Sequence, residues 1–102
     1  MSATHKVARQ VDIAPGEMRR VEAEGIPITL YNVQGTFYAT ADTCTHEEAS
    51  LCDGWLEENE ITCPLHGAAF DVTTGAVLTL PATHPLRTFP VRLIDDAIYI
   101  EV

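Results

Sequence analysis

IPITLYNVQGTFYAT, residues 26–40, decides the fold. Ile26, Ile28 and Leu30 alternate with Thr29 and Tyr31, which is the two-residue period of a strand. Gln34-Gly35 interrupts the pattern and TFYAT (36–40) resumes it, so the stretch predicts a β-hairpin. At the C-terminus PVRLI (90–94) and AIYIEV (97–102) flank Asp95-Asp96 in the same manner, with Ile98, Ile100 and Val102 facing the core. Near the start HKVARQV (5–11) and EMRRVEAE (17–24) read as strand, turn, strand around Ala14-Pro15-Gly16. No window of helical length carries an apolar stripe at helix spacing. Pro81, Pro85 and Pro90 exclude a long helix in the last third. The expectation is an all-β fold of short antiparallel strands in stacked sheets.

The 102 residues suffice for one compact core, so a single domain over 1–102 is expected. Six basic against fifteen acidic residues give a formal charge of −9. Phosphate backbones and anionic headgroups would be repelled, which argues against nucleic acid or membrane and for a basic protein surface as partner. The N-terminus lacks the apolar core of a secretory signal, and no apolar run approaches the ~18 residues that span a bilayer. A cytoplasmic location follows as the expectation. Three cysteines cannot form a complete disulfide framework, so metal binding or catalysis is the better reading of them.

Within the strand framework, CTHEEASLCDGWLEENEITCPLH (44–66) holds all three cysteines and two of the four histidines. Asp53-Gly54 and the acidic run 57–60 are turn signals, leaving room for short strands at Trp55-Leu56 and Ile61-Thr62. Each Cys–His pair, Cys44 with His46 and Cys63 with His66, then occupies its own loop. Cysteine and histidine are the soft and borderline ligands of zinc, copper and iron. Zinc accepts two of each, usually from C-x₂₋₄-C and H-x₃₋₅-H pairs, and a structural zinc module is one reading. Here each loop mixes the two types, which matches a two-iron two-sulfur centre with cysteines on one iron and histidines on the other.

The motif C-T-H, sixteen residues, then C-P-L-H-G closely resembles the Rieske ferredoxins, together with Leu51, Gly54, Ile61, Phe70, Asp71, Thr74 and Gly75. The resemblance is dense over about 44–75. It implies a Rieske-like fold with a small cluster-binding subdomain, about 42–68 or more narrowly 44–67, inserted in a β base. It implies one 2Fe-2S cluster held by Cys44, Cys63, His46 and His66, the histidines at its exposed edge. Respiratory Rieske proteins add a disulfide between the ligand loops, where this chain has Ala49 and Leu65. They also add hydroxyl donors to the cluster sulfurs, where this chain has Ala68 and Phe70. The resemblance is therefore to the ferredoxins of aromatic-ring-hydroxylating dioxygenases. These are not enzymes but carriers of single electrons from a flavin-containing, NADH-dependent reductase to a terminal oxygenase. The partners are expected to dock near the His46/His66 edge. A Rieske-like small subunit of a nitrite reductase is the alternative. Cys52 is expected to be a sheltered thiol outside the ligand set and Trp55 to pack; Pro81 matches a loop shielding the cluster in that family, with a plain turn as the competing reading.

Overall fold

A computed structural model describes residues 3–45, 48–65, 67–80 and 82–102. Its strands are β1 (Thr4–Arg9), β2 (Met18–Ala23), β3 (Ile26–Val33), β4 (Thr36–Ala41), β5 (Trp55–Glu57) and β6 (Glu60–Thr62). They continue as β7 (Ala69–Asp71), β8 (Val77–Thr79), β9 (Thr88–Phe89), β10 (Val91–Ile94) and β11 (Ala97–Glu101). Three antiparallel sheets result among the described residues, ordered β2-β3-β4-β9, β1-β11-β10 and β5-β6-β7-β8. The chain is all-β, as its periodicity requires.

The hairpin at 26–40 forms with Tyr31 opposite Tyr38 and Leu30 opposite Ala39. Gln34 and Gly35 both take positive φ, 52° and 94°, the backbone that a tight two-residue turn between twisted strands demands. The C-terminal hairpin forms around Asp95 and Asp96 with Ile94 opposite Ala97. Ile98 and Ile100 are fully buried as expected, whereas Val102 is half-buried.

The first two strands depart from the simplest reading of strand, turn, strand. They do not pair with each other: β1 joins β11, with Lys6 opposite Tyr99, and β2 joins β3, with Val21 opposite Ile28. The first strand also stops at Arg9, two residues short of Val11. A 3₁₀ turn over Gln10–Asp12 takes over, in which the Asp12 carboxylate accepts from the Arg9 amide at 3.0 Å. The Gln10 amide meanwhile donates to Asp96 of the C-terminal hairpin. These local bonds compete successfully with the ladder.

β3 is buried on both faces. Ile28 and Leu30 join Ile13, Phe37, Phe89, Ile98 and Ile100 in one core. Tyr31, from the opposite face, joins Cys44, Leu51, Ile61, Cys63, Phe70 and Val72 in a second. The sheet β2-β3-β4-β9 is thus the middle layer, and the sheet of β5 to β8 covers the face that carries Tyr31. Burial holds the Tyr31 phenol well above its ordinary pKa, and its hydroxyl pairs with the Thr40 hydroxyl at 2.8 Å.

The turn between β7 and β8 is tied by Asp71. One carboxylate oxygen accepts from the Thr73 hydroxyl (2.6 Å), the Thr73 amide (2.9 Å) and the Asn59 side chain (3.1 Å). The Thr73 hydroxyl does most to hold the Asp71 pKa below the usual carboxylate value, and desolvation opposes it. A depressed folded pKa contributes stability that is present above the unfolded value, about 4, and is lost as pH falls through the folded one. Asp71→Asn should therefore lower the thermal midpoint at pH 7. Its deficit against the unsubstituted protein should shrink below about pH 4, and a pH series of melting curves checks both. A deficit independent of pH would mean that the charge contributes nothing.

Candidate metal centre

The two cysteines of the paired loops are held in the same way. The Cys44 amide donates to the Ala49 carbonyl at 2.9 Å, and the Cys63 amide donates to the Ala68 carbonyl at 2.7 Å. Each bond closes a loop from its cysteine to the fifth residue beyond, and each loop contains one histidine of the motif. His46 and His66 themselves lie outside the described residues. Cys44 and Cys63 lie 3% and 0% exposed in one apolar cluster, walled by Leu51, Ile61, Ala68 and Phe70. None of the three cysteines is in a disulfide.

Other groups position these loops. The first is rooted where Thr43 bridges Ser50 and the Leu51 amide donates to the Asp42 carbonyl. A 3₁₀ turn over Leu51–Asp53 follows and ends at Gly54. A Cβ at Gly54 would fall on the carbonyl oxygen of Thr62, the residue before Cys63. Glycine there lets the end of the first loop rest on the root of the second. A third segment crosses nearby: the Thr45 hydroxyl donates to the His84 carbonyl at 2.7 Å, and Ala82 is fully buried in the cysteine cluster. Pro81, expected in a shielding loop, lies outside the described residues.

Two buried thiols on matched loops suit a soft metal centre. A thiolate buried among apolar groups is costly unless a cation neutralises it, and iron or zinc does so by direct ligation. Among the described residues no three His, Cys, Asp or Glu side chains gather as a metal site. Ala68 and Phe70 are fully buried and carry no hydroxyl.

Residues 3–90 match the model of the Rieske [2Fe-2S] domain. The chain belongs to the Rieske family. It is 45% identical over 100 residues to the ferredoxin component of biphenyl 2,3-dioxygenase from Rhodococcus jostii (strain RHA1), covering 98% of this chain and 94% of that one. A ferredoxin of Sphingomonas yanoikuyae B1 superposes with a TM-score of 0.93 at 33% identity, covering 98% and 99% of the two chains. A chain in the complex of reduced oxygenase and oxidised ferredoxin of carbazole 1,9a-dioxygenase superposes with a TM-score of 0.91 at 44% identity, covering 95% and 91%. The fold is the Rieske fold, and such a domain carries a 2Fe-2S cluster. The relatives are named as ferredoxin components, electron-transfer parts rather than catalytic ones. Among the described residues no helix is long and apolar enough to cross a membrane.

Cys52 stands apart from the Rieske loops in its chemistry. It is half-buried, and its amide points to the Asp42 carboxylate at 3.4 Å. Burial pushes its thiol pKa up, and Asp42 and Asp53 add to the effect, so it persists as a neutral thiol. Trp55 is not packed as expected: it is 63% exposed, because β5 is an edge strand whose outward residues lack a covering layer. Asp42 is a buried carboxylate that motif reading passes over, bonded to Thr29, Ser50 and the Cys52 amide. Its signal is an acidic residue two positions before Cys44, immediately after a strand of apolar, aromatic and threonine residues.

Cys52→Ser should retain full iron and sulfide. Gly54→Ala should lose a large fraction of both, because its methyl group displaces the backbone that leads to Cys63. Iron and sulfide assays per chain, together with visible absorption, check the pair. The reverse order would show that Cys52, and not the seam between the loops, matters to the centre.

Proposed function

We propose that this chain is a one-electron carrier that takes electrons from a flavin-containing, NADH-dependent reductase and delivers them to the terminal oxygenase of an aromatic-ring-hydroxylating dioxygenase. The observation that carries this is its near full-length correspondence to ferredoxin components, covering 94% of the biphenyl dioxygenase component. A structural neighbour comes from a complex of ferredoxin with its oxygenase, which supports the oxygenase as acceptor. In this reading residues 1–102 form one Rieske domain. Cys44 and Cys63 hold one iron, and His46 and His66 hold the other. The reading puts the protein in the cytoplasm, where NADH and an NADH-oxidising reductase meet it.

When bound, the cluster supplies reversible one-electron chemistry at a potential raised by histidine ligation. The chain's own residues bind it and exclude water. Cys44 and Cys63 anchor the buried side, and Leu51, Ile61 and Phe70 keep that side dry. Leu65, between Cys63 and His66, is 41% exposed and offers apolar contact to a partner at the ligand edge. Glu48, Asp53, Glu57, Glu58 and Glu60 are exposed around the two loops and favour encounter with a basic surface. Glu47 belongs to the same run but lies outside the described residues. Because Ala68 and Phe70 cannot donate to a sulfur, the potential belongs at the lower end of the Rieske range, near about −150 mV and not about +300 mV.

The test is reconstitution with the reductase and oxygenase components of a biphenyl dioxygenase system. Omitting the chain should stop NADH-dependent ring oxidation, and adding it should restore turnover that slows as salt screens the acidic surface. Voltammetry of the same preparation should place the midpoint below zero. Turnover that does not depend on the chain, or a midpoint well above zero, would overturn the assignment.

A further inference from the structure

Asp42 is 2% exposed and follows directly after β4, between that strand and the first ligand loop. Its Oδ1 accepts from the Thr29 hydroxyl at 2.7 Å, the Ser50 hydroxyl at 2.8 Å and the Cys52 amide at 3.4 Å. Its Oδ2 faces the Arg20 guanidinium, Nε at 3.5 Å. Among the described residues the groups that meet this carboxylate are therefore donors, which is the surrounding an anion needs when buried. Arg20 and Thr29 stand opposite each other in β2 and β3, on the middle sheet. Ser50 and Cys52 belong to the segment that closes the first ligand loop. One carboxylate thus joins the base to both ends of the chain segment that presents Cys44.

The second ligand loop has a different support. Its two ends continue directly into β6 and β7, which pair with each other, with Thr62 opposite Ala69. A sheet ladder fixes the Cys63 side, while the Cys44 side has one bridge and the backbone bond from Leu51 to Asp42, with side-chain bonds to Asp42 added. Arg20, the only cation in this cluster among the described residues, is 59% exposed, so water shares its charge. The carboxylate is not fully offset. It lies two residues before Cys44 in the chain.

We propose that Asp42 is the positioning residue of the first ligand loop and that its buried charge also lowers the potential of the centre. The proposal rests on the Rieske reading of the site. A fixed negative charge near a centre opposes the addition of an electron, and low local dielectric keeps that effect from being screened away. Three substitutions separate position from charge. Asp42→Asn keeps an acceptor for Thr29 and Ser50 but removes the charge. Ser50→Ala keeps the charge but removes one tie to the loop. Arg20→Gln leaves the ties in place and removes the opposing cation.

The experiment measures EPR spectrum, midpoint potential, melting temperature and the rate of bleaching by an iron chelator on each purified protein. Asp42→Asn should raise the potential, and Arg20→Gln should lower it. Ser50→Ala should bleach severalfold faster with its potential near that of the unsubstituted protein. If Asp42→Asn fails to load, Arg20→Gln and Ser50→Ala decide the matter alone. Lower melting temperatures with unchanged spectra, potentials and bleaching rates would make Asp42 a stability residue only and overturn the proposal. Absence of a Rieske EPR signal from the unsubstituted protein would instead sink the reading of the site on which it rests.

Discussion

The middle sheet has to be covered on both faces, and the rest of the molecule follows from that constraint. Leu30 and Tyr31 are neighbours in β3 and both are fully buried, yet they belong to different cores. Leaving the Tyr31 face in water would expose an aromatic ring, and burying it requires a second layer. The sheet of β5 to β8 is that layer, and its underside is where Cys44 and Cys63 lie. Burial of that sheet face and burial of the two thiols are one event. A metal bound to both thiols would also relieve the cost of burying them.

The two ligand loops reach the same local geometry from different supports. Each cysteine amide bonds to the carbonyl of the fifth residue beyond. The second loop is the connection between two paired strands, so its ends are fixed by backbone ladder bonds. The first is closed by an isolated bridge between Thr43 and Ser50 and by the Leu51 amide donating to the Asp42 carbonyl, supplemented by side-chain bonds to Asp42. The two roots touch at Gly54, where any side chain would collide with the Thr62 carbonyl. The two loops are therefore held against each other by backbone contact at Gly54. Long side chains reaching from elsewhere are not required.

Much of this is legible in the residues. The hairpins at 26–40 and 90–102 follow from two-residue alternation and from short turns between the paired strands, and they form in register. The short strands on either side of Glu58 also form, as the acidic turn implies. Pairing partners were less legible. The segments around 5–11 and 17–24 read as strands, but periodicity says nothing about which edge accepts them: the first joins β11 at the other end of the chain, and the second joins β3, which follows it. The second buried face of β3 was hidden because Thr29 and Tyr31 resemble a solvent face. They are buried only because their polar atoms find partners, Thr29 in Asp42 and Tyr31 in Thr40; on the Ile28 and Leu30 face Asn32 does the same with the Ile13 carbonyl and the Gly35 amide. Trp55 misled in the opposite sense, since an aromatic on a short edge strand has nothing to pack beneath. In the site, the cysteines announce themselves by spacing. Asp42 does not, because an isolated acidic residue acquires meaning only when the groups around it are known.

The central claim is that each loop contributes one sulfur and one nitrogen ligand to a single cluster. Electron–nuclear double resonance on the reduced protein tests it most directly, because nitrogen bound to the paramagnetic centre gives its own hyperfine couplings. The account predicts two strongly coupled histidine nitrogens, with one coupling lost when either His46 or His66 is replaced by cysteine and iron is retained. Strong nitrogen coupling that is absent, or that survives both replacements, would contradict it.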